Sequence, residues 1–139
     1  MTTPAITRTR NLLLANTTLT AIVGTDIYWP LFPGDIILPG IVLQPNGGST
    51  NPGAPLREVS VMTKCYYNTS ITARSLHETM RDALLGADFS DRTAHAVTLR
   101  TYGIIWIREE QEAQDLIDPA GADKGIPYAL GFYTIRVAD

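Results

Sequence analysis

The chain has 139 residues, of which 45% are hydrophobic and 18% charged, values that suit one globular domain with its own core. The formal net charge of −3 excludes an overall positive field that would attract nucleic acid. The single Cys65 excludes an internal disulfide, and no apolar stretch is long enough to cross a membrane. Because the first residues lack the apolar core of a signal peptide, we expect a product made in the cytoplasm.

Two short helices are predicted at the start of the chain. Thr3 is suited to cap the first helix, with Pro4 at its first helical position, where the missing N–H costs nothing. Arg8 and Arg10 would then face solvent or a partner. Gly24 is suited to end the second helix in a left-handed conformation. The predicted buried stripe of the first helix is Ile6, Leu13 and Leu14, and the second helix is predicted from Leu19, Ile22 and Val23.

Three strands are predicted next. Residues 27–29 favour a short strand that ends at Pro30, and residues 41–44 favour another. Residues 45–55 are rich in Gly, Pro, Asn and Ser, which is typical of a flexible loop at a hairpin tip. Residues 56–67 alternate strictly and are the clearest strand of the chain. One of its faces carries Val59, Val61, Thr63, Cys65 and Tyr67, and the other carries Glu58, Ser60, Met62, Lys64 and Tyr66.

The clearest helix is predicted at residues 71–85. Residues 68–70 offer N-terminal caps, and Gly86 ends the helix. The helix has an apolar stripe at the spacing of one helical face. The residues of this stripe are Leu76, Met80, Ala83, Leu84 and Ala87.

The last third of the chain is predicted to hold two strands. A polar turn at residues 88–93 precedes a long strand at 96–107 that is apolar on both faces, as expected for a strand covered on both sides. Residues 108–124 are polar and acidic, which favours a solvated or partner-facing hairpin. Residues 128–137 form the final strand. The predicted fold is α+β: one domain over residues 1–139, with helices on one face of a mixed, mainly antiparallel sheet.

The sequence offers no set of residues for catalysis, metal binding or cofactor binding. His77 and His95 lack the spacing of a metal pair, and Cys65 is the only thiol. Glu109, Glu110 and Glu112 lack the spacing of a calcium loop. No serine lies in the context of a nucleophile elbow. We therefore predict a protein that is not an enzyme and has no cofactor.

The first third of the chain resembles the tail terminator (tail-completion) proteins of long-tailed bacteriophages. These share a segment LLLAD-x-x-L-T-A-L-V-G, then I-Y, then P-x-I-V. Here residues 12–24 read LLLANTTLTAIVG, residues 27–28 read IY and residues 39–42 read PGIV. The strand at 59–62, the helix at 73–84 and the strand at 131–137 extend the resemblance over most of the chain. Residues 45–55 and 109–123 have no counterpart.

The resemblance implies a structural virion protein at the head–tail interface. Such proteins form homo-hexameric rings that cap the tail tube and meet the head connector or stopper protein; they have no catalytic residues. The alternatives are another neck component, such as a head-completion or stopper protein, or a small non-viral binding module. We expect no sequence-specific nucleic acid and no membrane among the partners.

The predicted partner surface combines the long strand with the two polar segments. A closed ring needs two different patches on each subunit, and a strand that is apolar on both faces suits one of them. The polar segments at 45–55 and 109–124 would order against neighbouring rings, because long polar loops are often functional. The candidate interface residues are Asn46, Asn51, Val97, Leu99, Tyr102, Ile104, Trp106, Glu109, Glu110 and Glu112.

Overall fold

The computed structural model describes residues 4–50, 56–87, 92–119 and 125–138. These residues form four helices and five strands. The helices are α1 (Ala5–Leu14), α2 (Thr17–Val23), α3 (Ser70–Leu85) and α4 (Arg92–Thr101). The strands are β1 (Ile27–Tyr28), β2 (Gly40–Thr50), β3 (Leu56–Tyr66), β4 (Ile104–Asp118) and β5 (Ile126–Ala138).

The strands form one mixed sheet in the order β1-β2-β3-β5-β4. Only the β1–β2 pair is parallel; the other three pairs are antiparallel. Helix α3 packs against β3, β4 and β5, while α1 packs against β1, β2 and β4. The predicted α+β fold, a mainly antiparallel sheet with packed helices, is confirmed.

Helix α3 begins and ends where the sequence predicts. The Thr69 side chain accepts a hydrogen bond from the Thr72 backbone N–H, and Thr72 Oγ1 accepts one from the Thr69 N–H, so the two residues form a capping box. Gly86 follows the last turn with a φ of 93°, a conformation that glycine adopts without strain. The predicted stripe is buried at Leu76, Met80, Ala83 and Leu84, whereas Ala87 lies beyond the helix and is exposed.

Helix α1 differs from its prediction in the placement of its arginines. Arg8 is only 9% exposed, and its Nη1 donates a hydrogen bond to Gly103 O at 2.8 Å. Arg10 Nε donates to Ile27 O. The predicted orientation toward solvent or a partner is therefore wrong for Arg8, whereas Arg10 is half-buried. In both residues the aliphatic stem packs along the protein while the guanidinium group donates to a backbone carbonyl. Pro4 is the N-cap residue of this helix, and Thr3 lies outside the described residues.

The strand predicted at residues 96–107 is wrong in its first half, which belongs to helix α4. His95, Leu99 and Tyr102 have the spacing i, i+4, i+7 of one helical face, and Leu99 is 5% exposed. Gly103, with a φ of 75°, separates α4 from β4. Arg92 and Thr93, predicted in a turn, belong to α4, and residues 88–91 lie outside the described part of the chain.

The two polar segments predicted as loops are largely strands. Residues 45–50 continue β2, and β4 runs through the acidic stretch to Asp118. Backbone hydrogen bonds to β3 and β5 hold these segments, and such bonds do not require apolar side chains. Irregularities in register at Pro45/Gly48 in β2, and at Glu109/Gln111 and Gln111/Gln114 in β4, interrupt the alternation that would have revealed the strands.

The sheet has two different faces, which we call the inner face and the outer face. The inner face lies under the helices and contributes Val61, Cys65, Tyr133 and Ile135 to the core, each at most 1% exposed. The outer face consists of the alternate residues of the same strands. On β3 and β5 its members pair as Glu58 with Arg136, Ser60 with Thr134, Met62 with Phe132, Lys64 with Leu130 and Tyr66 with Tyr128.

Candidate functional site

The middle of the outer face is apolar although no described helix covers it. Met62 pairs with Phe132 across β3 and β5, and Leu130 follows next to Lys64. These four side chains are half-buried. The strand residues on the solvated face of an antiparallel sheet are usually polar. An apolar centre at this position is therefore typical of a surface that contacts another macromolecule.

One end of the outer face carries charges that are paired with each other. Arg136 forms an ion pair with Glu58, and Arg108 forms one with Glu110 at 2.9 Å. Both guanidinium groups lie over the Trp106 ring, at 5.1 Å and 5.2 Å from its centroid. A partner covering this end would meet few unpaired charges.

Glu110 connects this charged end to a shallow hollow. The hydroxyl of Thr134 donates a hydrogen bond to Glu110 Oε1. This hydrogen bond and, secondly, that from Arg108 lower the pKa of Glu110. The hollow has a volume of about 360 Å³, and its side-chain lining includes Asn46, Ser60, Glu110, Gln111, Phe132 and Thr134. It suits a protruding side chain of a partner.

The other end of the outer face is covered by the segment 29–38 of the same chain. The Phe32 ring packs edge-on against Tyr28 and Tyr66, with centroids 5.9 Å and 5.4 Å away. Tyr66 stacks in turn on Tyr128 at 5.0 Å. Gln44 Nε2 donates a hydrogen bond to Pro30 O at 3.1 Å. The segment therefore covers the β2 side of the outer face and leaves Met62, Leu130 and Phe132 uncovered.

The acidic residues of β4 do not form one surface. Glu109 lies on the inner side, where Arg81 Nε donates to it at 2.9 Å and the Tyr133 hydroxyl at 3.4 Å. Glu110 lies on the outer face, and Glu112 is exposed. Asp115 lies 3.5 Å from Arg74 of α3. The register irregularities of β4 separate these carboxylates, so most of them have partners within the chain.

The remaining predicted interface residues are scattered. Leu99 and Ile104 are 5% and 0% exposed and belong to the core, so they cannot contact a partner on this surface. Val97 is exposed on α4, and Tyr102 is half-buried at its end. Asn51 lies outside the described residues. Asn46 and Glu110 line the same hollow of the outer face, and Trp106 lies under Arg108 and Arg136 on that face. The central Met62, Leu130 and Phe132 were not among the predicted residues.

A polar cluster lies inside the core. The Tyr133 hydroxyl is 3.3 Å from His77 Nε2, and both residues are 1% exposed. Burial lowers the pKa of His77 and raises that of Tyr133. Burial also raises the pKa of Cys65, which is fully buried. The raised pKa values keep the Tyr133 hydroxyl and the Cys65 thiol protonated, and none of the three buried side chains can reach a substrate. This cluster is therefore suited to packing rather than to chemistry at a surface.

A groove of about 550 Å³ lies on the helical side, between the α1–α2 junction and the facing ends of α3 and α4. His95 Nε2 donates a hydrogen bond to Leu84 O at 2.7 Å there, and Asp82 lines the groove. Within residues 4–50, 56–87, 92–119 and 125–138, no three His, Cys, Asp or Glu side chains are grouped to hold a metal ion. No helix of these residues is long and apolar enough to span a membrane.

Comparison with known proteins gives a structural likeness and no match by sequence. No protein-family profile matches the sequence. No curated protein matches it either. The fold is similar to that of a chain in a solved structure described as the virion of a native gene transfer agent (GTA) particle, with a TM-score of 0.64 and 16% sequence identity over 94% of this chain and 92% of that chain. At this identity the likeness shows a shared fold.

Proposed function

We propose that this chain is a structural protein of a tailed phage-like particle, and that it forms a six-membered ring at the head-proximal end of the tail. The observation that carries the proposal is the fold shared with a virion chain over nearly the full length of both chains. The resemblance of residues 12–43 to tail terminators supports the position within the particle. The first argument rests on backbone geometry and the second on a sequence pattern in the first third of the chain.

The chemistry of the chain supports an assembly role rather than a catalytic one. The buried His77, Tyr133 and Cys65 have no access to a substrate. The outer face is broad and shallow, with an apolar centre and charges that are paired with each other. Small-molecule sites are usually concave and enclose their ligand, whereas protein interfaces are extended surfaces with an apolar core and a polar rim.

The acidic strand has a narrower role in this proposal than the sequence suggests. Glu109 forms an ion pair with Arg81. Glu110 forms an ion pair with Arg108 and accepts a hydrogen bond from Thr134. Glu112 is exposed and has no hydrogen bond or ion pair with a described residue. Glu112 is therefore the acidic residue that we propose for contact with the tail tube or the connector. Charge at such a rim mainly sets encounter rate and register.

The position is tested by locating the protein in purified particles, by a virion reconstruction or by gold-labelled antibodies. We expect label at the junction of head and tail, and unjoined heads and tubes when the gene is deleted. Label in the capsid shell or at the distal tail tip would reject the proposal. Label that remains with heads after the tails are detached would favour a head-completion or stopper protein instead.

A further inference from the structure

We propose that the segment 29–38 of one copy docks on the uncovered part of the outer face of the next copy, so that the subunits join head to tail. The inference rests on the proposed ring and names its subunit contact. The docking segment is defined as residues 29–38. The receiving face is defined by Met62, Lys64, Leu130 and Phe132 on β3 and β5.

The docking segment holds a cluster of exposed large hydrophobic side chains. Among the described residues, seven large hydrophobic side chains are strongly exposed, and three of them lie in this segment. Trp29 is 42% exposed, Leu31 66% and Leu38 42%. The other four are isolated on α2, α3, α4 and β4. Exposed apolar groups that cluster in one segment indicate a contact site, whereas single ones need no explanation.

The segment is held in place before any partner arrives. The Phe32 ring is fixed between Tyr28 and Tyr66, and the Pro30 carbonyl accepts a hydrogen bond from Gln44. Pro30 and Pro33 further restrict the backbone. A segment that is already ordered loses little conformational entropy when it binds, so more of the burial energy remains for affinity.

The receiving face is the uncovered middle of a larger surface. Eleven residue pairs join β3 and β5. With β4 they outline an outer face of about 36 by 14 Å, or roughly 500 Å² in projection, from a rise of about 3.3 Å per residue and a strand spacing of about 4.8 Å. Segment 29–38 of the same chain covers the end of this face at Tyr66 and Tyr128. A standard interface buries about 800 Å² of accessible surface per partner, so the receiving face supplies the apolar centre of the proposed contact and the neighbouring outer-face residues supply its rim.

Charge complementarity favours a second copy as the occupant. Asp35 is the only charged residue of the docking segment, and it is exposed. Lys64 lies over the Tyr128 ring, 5.5 Å from its centroid, and is in no ion pair with a described residue. The two arginines of the outer face, Arg108 and Arg136, are paired with Glu110 and Glu58. A docked segment would bring Asp35 to Lys64 of the next copy.

The two patches lie on different parts of the sheet. The docking segment lies beside β1 and β2, whereas the receiving face spans β3 and β5 further along the strand order. A contact is heterologous when each copy offers its docking segment to one neighbour and its receiving face to another, and repeated copies of such a contact close into a ring or continue as a filament. The proposed six-membered ring requires this head-to-tail use of the two patches.

The test measures the mass of the purified full-length protein over a concentration series, alone and with isolated tail tubes. Leu31→Lys and Phe132→Lys place a charge in the centre of each patch and should weaken subunit association by more than about tenfold. Ile71→Lys on α3 and Val97→Lys on α4 are matched controls, because these side chains are 83% and 64% exposed on the helical side. Circular dichroism checks that every variant is folded.

A charge exchange provides a second, independent measurement. Asp35→Lys and Lys64→Asp should each weaken association, and the double variant should restore it. Rings that persist in Leu31→Lys and Phe132→Lys, or dissociate equally in the two controls, would overturn the docking contact while leaving the proposed ring intact. A wild-type protein that stays monomeric even with tail tubes would overturn the contact and the ring together.

Discussion

The two faces of the sheet are built from the same strands but have different roles. On β3 and β5 the inner-face residues Val61, Cys65 and Tyr133 are at most 1% exposed, because α3 covers them. The outer-face neighbours Met62 and Phe132, one residue along each strand, are only half-buried. The inner face is completed by the chain itself. The outer face has an apolar centre that the described part of the chain does not cover, which is why we assign its completion to another subunit.

The largest expected contrast between the faces is in the free energy of unfolding. Leu84 of α3 is 1% exposed above the inner face, so Leu84→Ala should destabilise the subunit by about 2–5 kcal/mol. Met62→Ala on the outer face should cost roughly 1 kcal/mol or less in the dissociated subunit. Chemical denaturation of both variants measures the difference. Equal losses would mean that the two faces do not differ as described.

A smaller contrast is expected from adding one methyl group. A Cβ on Gly131 would lie 2.6 Å from His77 Cε1 and 2.8 Å from Thr63 Oγ1, so Gly131→Ala overpacks the inner face and should cost about 1–3 kcal/mol. Gly34→Ala is the control, since nothing lies within 4 Å of its added Cβ, and it should stay within about 0.5 kcal/mol of wild type. Thermal or urea unfolding would measure both. An unchanged Gly131→Ala would indicate a loosely packed inner face.

The smallest expected effect is a pH dependence that arises from the inner face. Burial lowers the folded-state pKa of His77 below the ordinary value of about 6.5, so the folded protein binds the proton less well than the unfolded chain. Glu78, Glu109, Arg74 and Arg81 modify this shift. The contribution of neutral His77 to the free energy of unfolding is complete above about pH 6.5. It is lost as the pH falls from there through the folded-state pKa of His77.

This pH dependence is measured by urea unfolding between about pH 7 and pH 5.5, a range chosen to lie around the ordinary histidine pKa. His77→Gln has no titrating group at this position, so its free energy of unfolding should fall less over the range than that of wild type. Parallel curves for the two proteins would show that His77 does not contribute. Carboxylates titrate at lower pH and affect this range little.

Local periodicity predicted the elements that carry one clear pattern. Residues 71–85 and 56–67 repeat their apolar positions with periods of 3.6 and 2, and α3 and β3 lie there within one residue at each end. The prediction of one strand from Val97 to Ile107 was wrong because a helix and a strand meet at Gly103. The apolar residues of the helix and of the strand, taken as one element, resemble a strand that is apolar on both faces. Gly103 was the available signal for the boundary.

The acidic segment shows where composition misleads. Glu109, Glu110 and Glu112 were predicted as a partner-facing group, yet the first two are bound within the chain. Their side chains separate because β4 shifts register against β5 near Gln111, and such an irregularity depends on the partner strand. The outer-face residues Met62 and Phe132 were visible as strand residues. The alternation along each strand assigned Met62 and Phe132 to one face of the sheet, but it did not indicate whether that face is covered.

The sequence by itself determined the fold class, the main helix and the strands at 56–67 and 128–137, because helical and strand periods are properties of neighbouring residues along one chain. It also determined the low charge and the apolar segment at 29–38. Only the tertiary structure decided that α3 covers the inner face, that Arg8 and Glu109 are satisfied internally, and that Met62 and Phe132 remain half-exposed. These outcomes depend on contacts between residues far apart in the chain, such as Arg8 with Gly103, and no local pattern encodes such contacts.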